Sequence, residues 1–105
     1  MEKLCVVYVT ASNKQEAERI AEKLVSERLA ACVNIYDKVL SVYRWEEKEE
    51  KSTEVTLIIK TKEVLLSEVE STVKKLHSYS CPCVLAIPLV YASDDYAKWI
   101  LGETK

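Results

Sequence analysis

The sequence predicts an α+β fold of the ferredoxin-like, split β-α-β-β-α-β kind, a sandwich with one further helix at its C-terminus. Three observations carry this reading. Four segments show the short apolar runs or period-two alternation of strands. Two segments between them repeat at helical spacing. The second and third strand patterns follow each other across a polar run alone, which makes them an antiparallel pair. A chain of 105 residues is enough for one core, so residues 1–105 are taken as a single domain.

The elements follow in order. Leu4 to Val9 is a continuous apolar run rich in β-branched residues, as expected of a central strand. Ser12 and Gln15 have the spacing of a capping box, and Ala17, Ile20, Ala21, Leu24 and Val25 then share a helical face, with Glu16, Glu18 and Arg19 expected to point outward. From Ala31 to Trp45 the period is two, with a bend or bulge expected near Asp37. Glu46 to Lys51 is expected to be a polar connection, and Val55, Leu57 and Ile59 mark the next strand. Both arms exceed the usual five or six residues, so the hairpin should overhang the core. Its tip carries Tyr43 and Trp45, which suit an interface between subunits. Thr61 is placed as the cap of a second helix bearing Leu66, Val69, Val73 and Leu76. A fourth strand is expected from Val84 to Tyr91, at an edge or with a bulge, because Pro88 cannot donate to the ladder. Ser93 opens the last helix. Helices on one side leave the other sheet face, with Tyr8, Tyr36 and Ile58, to be covered by self-association.

Composition narrows the function. Fifteen Lys and Arg against seventeen Asp and Glu give a net charge of −2, without the basic excess that holds nucleic acid. A single glycine, Gly102, removes the glycine-rich loops that cradle nucleotide phosphates. No run approaches the about 18 apolar residues that span a bilayer, so no membrane insertion is expected. No signal-peptide pattern opens the chain, and a cytoplasmic location with reduced cysteines is expected.

Cys81-Pro82-Cys83 is the one local arrangement that looks chemical. Two thiolates two residues apart can converge on Cu(I) or Zn(II), and His77 lies just upstream, so His77, Cys81 and Cys83 form the candidate metal set. The competing reading is two small residues entering a strand, with His77 as a helix cap. Cys5 and Cys32 fall within strand patterns and read as core. Lys60, in mid-strand, faces either a cleft for an anion or solvent. The charges of Glu46 to Glu50 are interleaved with lysine, which favours a solvated turn over a cation site. No nucleophile elbow supports catalysis, and an enzyme is not expected.

Glu27-Arg28-Leu29-Ala30-Ala31-Cys32-Val33-Asn34-Ile35 resembles a signature of the CutA divalent-cation-tolerance family. Ser41-Val42-Tyr43-Arg44-Trp45-Glu46, Leu57-Ile58-Ile59-Lys60-Thr61, His77-Ser78-Tyr79, Ala86-Ile87-Pro88 and Asp95-Tyr96-Ala97-Lys98-Trp99-Ile100 continue the likeness in order. The resemblance implies a homotrimer, a role in tolerance of copper or another divalent cation, and no required cofactor. It also implies an alternative by shape, a PII-like sensor with an intersubunit cleft near Cys32, Asn34, Trp45, Lys60 and Tyr79. The family's usual glycine in the hairpin is replaced by Glu47. A copper site of some members, one cysteine and two adjacent histidines, corresponds here to Val9, Leu76 and His77, so one ligand of three remains.

Overall fold

The computed structural model describes residues 2–105. Along the chain it forms β1 (Leu4–Ala11), α1 (Lys14–Ser26), β2 (Cys32–Trp45), β3 (Lys48–Lys62), α2 (Leu66–Leu76), β4 (Val84–Pro88) and α3 (Asp94–Glu103), with a 3₁₀ turn at Glu63–Leu65 leading into α2. The four strands make one sheet in the order β2-β3-β1-β4, antiparallel at every contact. Each helical crossover therefore skips one strand, which is the expected split arrangement.

Alternation along the strands sorts the two faces. Cys5, Val7 and Val9 of β1 and Val55, Leu57 and Ile59 of β3 pack against Ala17, Ile20 and Leu24 of α1 and Val69 and Val73 of α2. On the opposite face Tyr8 lies across from Ile58 and Leu85, and Ile58 from Asn34. Neither α1 nor α2 covers that side; α3 reaches only its Lys60 end, through Tyr96, and Tyr36, Leu85 and Ile87 stand exposed there.

Several local expectations are corrected. The cap of α1 is Asn13, whose side chain accepts from the Glu16 N–H at 2.8 Å, rather than Ser12 paired with Gln15. Glu16 turns inward and is buried. The end of α1 is a reciprocal pair of bonds, Leu29 N–H to Leu24 O and Arg28 N–H to Val25 O, around Arg28 at φ 59°. Glycine usually takes that position. Here the arginine guanidinium donates to Gly102 O at 2.7 Å, tying α1 to α3.

The hairpin differs more. Glu46 and Glu47 alone form the turn, both at positive φ, and Lys48 already pairs with Trp45. The charged run expected as a connection is thus mostly strand, because neither face of this outer segment is buried and charge costs nothing there. The expected bulge lies between Tyr36 and Val39, with Lys38 at φ 64°. Thr61 belongs to β3 and does not cap α2; its buried hydroxyl donates to Leu29 O at 2.7 Å. β4 stops at Pro88, three residues before the expected end, and is an edge strand, one of the two placements its proline allows.

Candidate functional site

A groove of about 650 Å³ opens on the face away from α1 and α2, where the hairpin leaves the core. Tyr8 and Thr10 of β1 form its floor. The hairpin supplies Tyr43 and Trp45 from β2 and Glu50 and Glu54 from β3, all on one face because Tyr43 pairs with Glu50 and Val39 with Glu54. The loop before β4 supplies the far wall with Tyr79, Ser80, Cys81 and Cys83.

Two buried carboxylates shape this wall. Glu54 is 8% exposed and accepts the Tyr79 hydroxyl at 2.7 Å. Burial, with that bond and the Glu54 charge, raises the proton affinity of the Tyr79 phenol well above its ordinary value, so it stays a donor. Glu16 holds the loop from behind. Its carboxylate accepts from Ser12 N–H at 3.0 Å, the Ser12 hydroxyl at 3.1 Å and Ser78 N–H at 2.9 Å. Burial opposes its charge, yet these bonds outweigh burial and hold the carboxyl below its usual range.

His77 has no exposed side-chain surface. Its Nε2 lies 2.7 Å from Thr10 O, an acceptor only, so Nε2 carries the proton; Nδ1 then accepts Tyr79 N–H at 3.1 Å. Both nitrogens are engaged and none is left for a metal. The expected trio is therefore not assembled: Cys81 and Cys83 share the groove wall, while His77 is the pin that orients their loop. Among the described residues no three His, Cys, Asp or Glu side chains are grouped to hold an ion. Burial first, then the Glu54 charge, raises the Cys83 thiol above its ordinary value.

Within one protomer the residues expected around an intersubunit cleft stand in two places. Trp45 and Tyr79 line the groove. Lys60, Cys32 and Asn34 lie elsewhere on the same face: Lys60 Nζ donates to the Tyr96 hydroxyl at 3.2 Å and lies over its ring, and Cys32 pairs with Lys60 across the sheet. Six positions along β3 separate Lys60 from Glu54, about 20 Å of strand. Cys32 is half-buried on the open face rather than in the core, whereas Cys5 is core as expected. Glu54 and Glu16 were not singled out by the sequence. A lone carboxylate entering the apolar run Val55–Ile59 was the available signal for Glu54; for Glu16 it was the spacing Asn13-x-x-Glu16, which turns the carboxylate back toward the helix start, whereas its bond to Ser78, 62 residues away, left no trace in the sequence.

A profile of the family described as CutA1 divalent ion tolerance protein matches residues 5–103. The Divalent-cation tolerance protein CutA of Archaeoglobus fulgidus is 44% identical over 94 residues, 90% of this chain and 91% of that one. Protein CutA, chloroplastic, of Arabidopsis thaliana is 42% identical over 100 residues, 95% of this chain, which spans 55% of the plant protein's length. The crystal structure of CutA1 from Oryza sativa superposes with a TM-score of 0.96 at 42% identity, covering 99% of this chain and 95% of that one. These matches give no support to the PII-like alternative. With sequence and topology agreeing over nearly its whole length, the chain belongs to the CutA1 divalent ion tolerance family.

Proposed function

We propose that this protein serves divalent-cation tolerance as a non-enzymatic cytoplasmic homotrimer that binds copper or another soft ion directly. Membership of the family over residues 5–103 is the observation that carries this reading. Its relatives are named for tolerance rather than for a reaction. A cytoplasmic place agrees with four unpaired cysteines, although the Archaeoglobus structure is described as periplasmic and two plant relatives as chloroplastic. Among the described residues no helix is long and apolar enough to cross a membrane.

Cys81 and Cys83 are the proposed ligands, because they line one wall and thiolate pairs favour Cu(I) over hard cations. The ion must displace thiol protons, so binding weakens as pH falls. His77 is left out of this set by its two hydrogen bonds. A competition titration of reduced protein against a Cu(I) chelator tests the proposal. The Cys81→Ser/Cys83→Ser double variant should bind at least tenfold more weakly than wild type; equal affinity would remove the two thiols from the account.

A further inference from the structure

We infer that His77 is a proton-operated latch for the 77–83 loop, closed while its imidazole is neutral and opened when a second proton reaches Nδ1. This goes beyond the copper proposal and does not rest on it. The latch is built inside one protomer. The His77 side chain has no exposed surface and that of Glu16 only 4%, so whatever covers the open sheet face does not touch the ring.

The neutral ring ties two distant pieces of chain together. Nε2–H donates to Thr10 O at 2.7 Å, and Nδ1 accepts Tyr79 N–H at 3.1 Å, so the loop backbone is fastened to the end of β1. A proton taken up from solvent goes to Nδ1, because Nε2 already carries one. Nδ1–H then faces another donor, and the bond from Tyr79 N–H is lost. An acceptor for the new N–H stands ready: Glu16 Oε1 lies 3.7 Å from Nδ1. One bond is exchanged for another, so the buried imidazolium is paired as it forms, which a buried charge requires. Tyr79 N–H is released in the same step.

The groups around the ring suit this exchange. From α1 comes Glu16, whose bonds from Ser12 and Ser78 keep it ionised below the usual carboxylate range. β1 presents the Thr10 carbonyl. The loop presents the Tyr79 ring, 4.7 Å away between centroids, its phenol kept protonated by burial and by Glu54 of β3, which acts through the hydroxyl. Burial likewise keeps Cys83 a thiol, and Cys81 is exposed. On α2, Lys74 and Lys75 are exposed, and Lys74 is paired with Glu70. Two bonds survive the opening, Ser78 N–H to Glu16 and the Tyr79 hydroxyl to Glu54. The freed stretch is therefore the backbone from Tyr79 onward. Histidine changes charge nearer neutrality than carboxylates do, so the open state fills the interval in which His77 is charged and Glu16 still ionised.

Nuclear magnetic resonance on the full chain, with a chelator present to keep metal away, tests the latch. His77 is the single histidine, so labelled imidazole gives one titrating signal. At pH 8 that signal should report the Nε2–H tautomer. Between pH 8 and pH 5 the exchange protection of the Tyr79 amide, corrected for its intrinsic rate, should fall at least tenfold with the midpoint of the ring. The Ser78 amide should keep its protection over the same range. Glu16→Gln should lower the ring's midpoint by at least about half a pH unit, because an amide does not balance the imidazolium. A ring in the Nδ1–H tautomer at pH 8, a ring still neutral at pH 5, or a ring that titrates while Tyr79 protection stays constant would each overturn the inference. An unmoved midpoint in folded Glu16→Gln would do the same. The wild-type titration decides the matter alone if that variant does not fold.

Discussion

Single carboxylates do much of the positioning in this chain, and Glu16 is the clearest case. Three donors from Ser12 and Ser78 converge on it and fasten the 77–83 loop to the start of α1. Its folded-state affinity for protons is lowered, so its contribution is fully present above the unfolded value near 4.5 and is lost as pH falls through the lower folded value. Glu16→Gln should cost about 1–3 kcal/mol at pH 7, the range for leaving a buried donor unpaired, because the amide keeps one acceptor oxygen and faces the other donor with an NH2 group. Urea denaturation at matched protein concentration should show that gap narrowing below pH 4.5; a gap that stays constant to pH 3 would show that the ionised carboxylate is not what matters. Little of this was legible. Ser12 and Asn13 are equally good caps, so the sequence allowed either, and a glutamate four residues after a serine in an amphipathic helix reads as solvent-facing. The reach back to Ser12 is local, but the arrival of Ser78 N–H at the second oxygen is something no periodicity encodes.

At the scale of elements, the hairpin turn is the strained piece. Two-residue turns whose central residues both have positive φ favour Asn-Gly, since a Cβ crowds the backbone there. Glu46 at φ 50° and Glu47 at φ 66° adopt this geometry without glycine. Glu47→Gly should raise stability by about 0.5–1 kcal/mol, the relief of left-handed strain less the added freedom of the unfolded chain. Thermal or urea melts at fixed concentration would read it, and a fall in stability would reveal a stabilising contact made by the Glu47 side chain. The strands and helices themselves were legible because their buried faces impose a period. The segment from Lys48 to Lys51 was not, because charged residues disfavour strands on average and nothing buried marks its pairing. Thr61 failed for a different reason: a β-branched hydroxyl suits a cap and a strand equally, and the distant Leu29 carbonyl decided between them.

For the whole molecule, the extents of 44 × 26 × 22 Å reflect a hairpin that outruns its own core. Tyr43 and Trp45 are 42% and 48% exposed near its end, and Leu85 and Ile87 are bare on the face away from α1 and α2. This supports the proposed trimer, in which Trp45→Ala should weaken assembly by about 2 kcal/mol per buried indole. Light scattering on dilution should show a lower mass for the variant at concentrations where wild type remains whole; a wild type that is monomeric at micromolar concentration would defeat the proposal. The topology was fully legible, and so was the sheet face that α1 and α2 leave open. The groove was only half legible, since its hairpin wall follows from alternation whereas its loop wall depends on the bonds of His77. The hairpin also has an evolutionary consequence. Its outer residues support no hydrophobic core of their own chain, so the protomer's stability places almost no selective demand on them. Any restraint on drift at Tyr43, Trp45 and Glu50 must be exerted from outside the protomer, by whatever meets that surface, which makes these positions a record of the protein's company rather than of its folding.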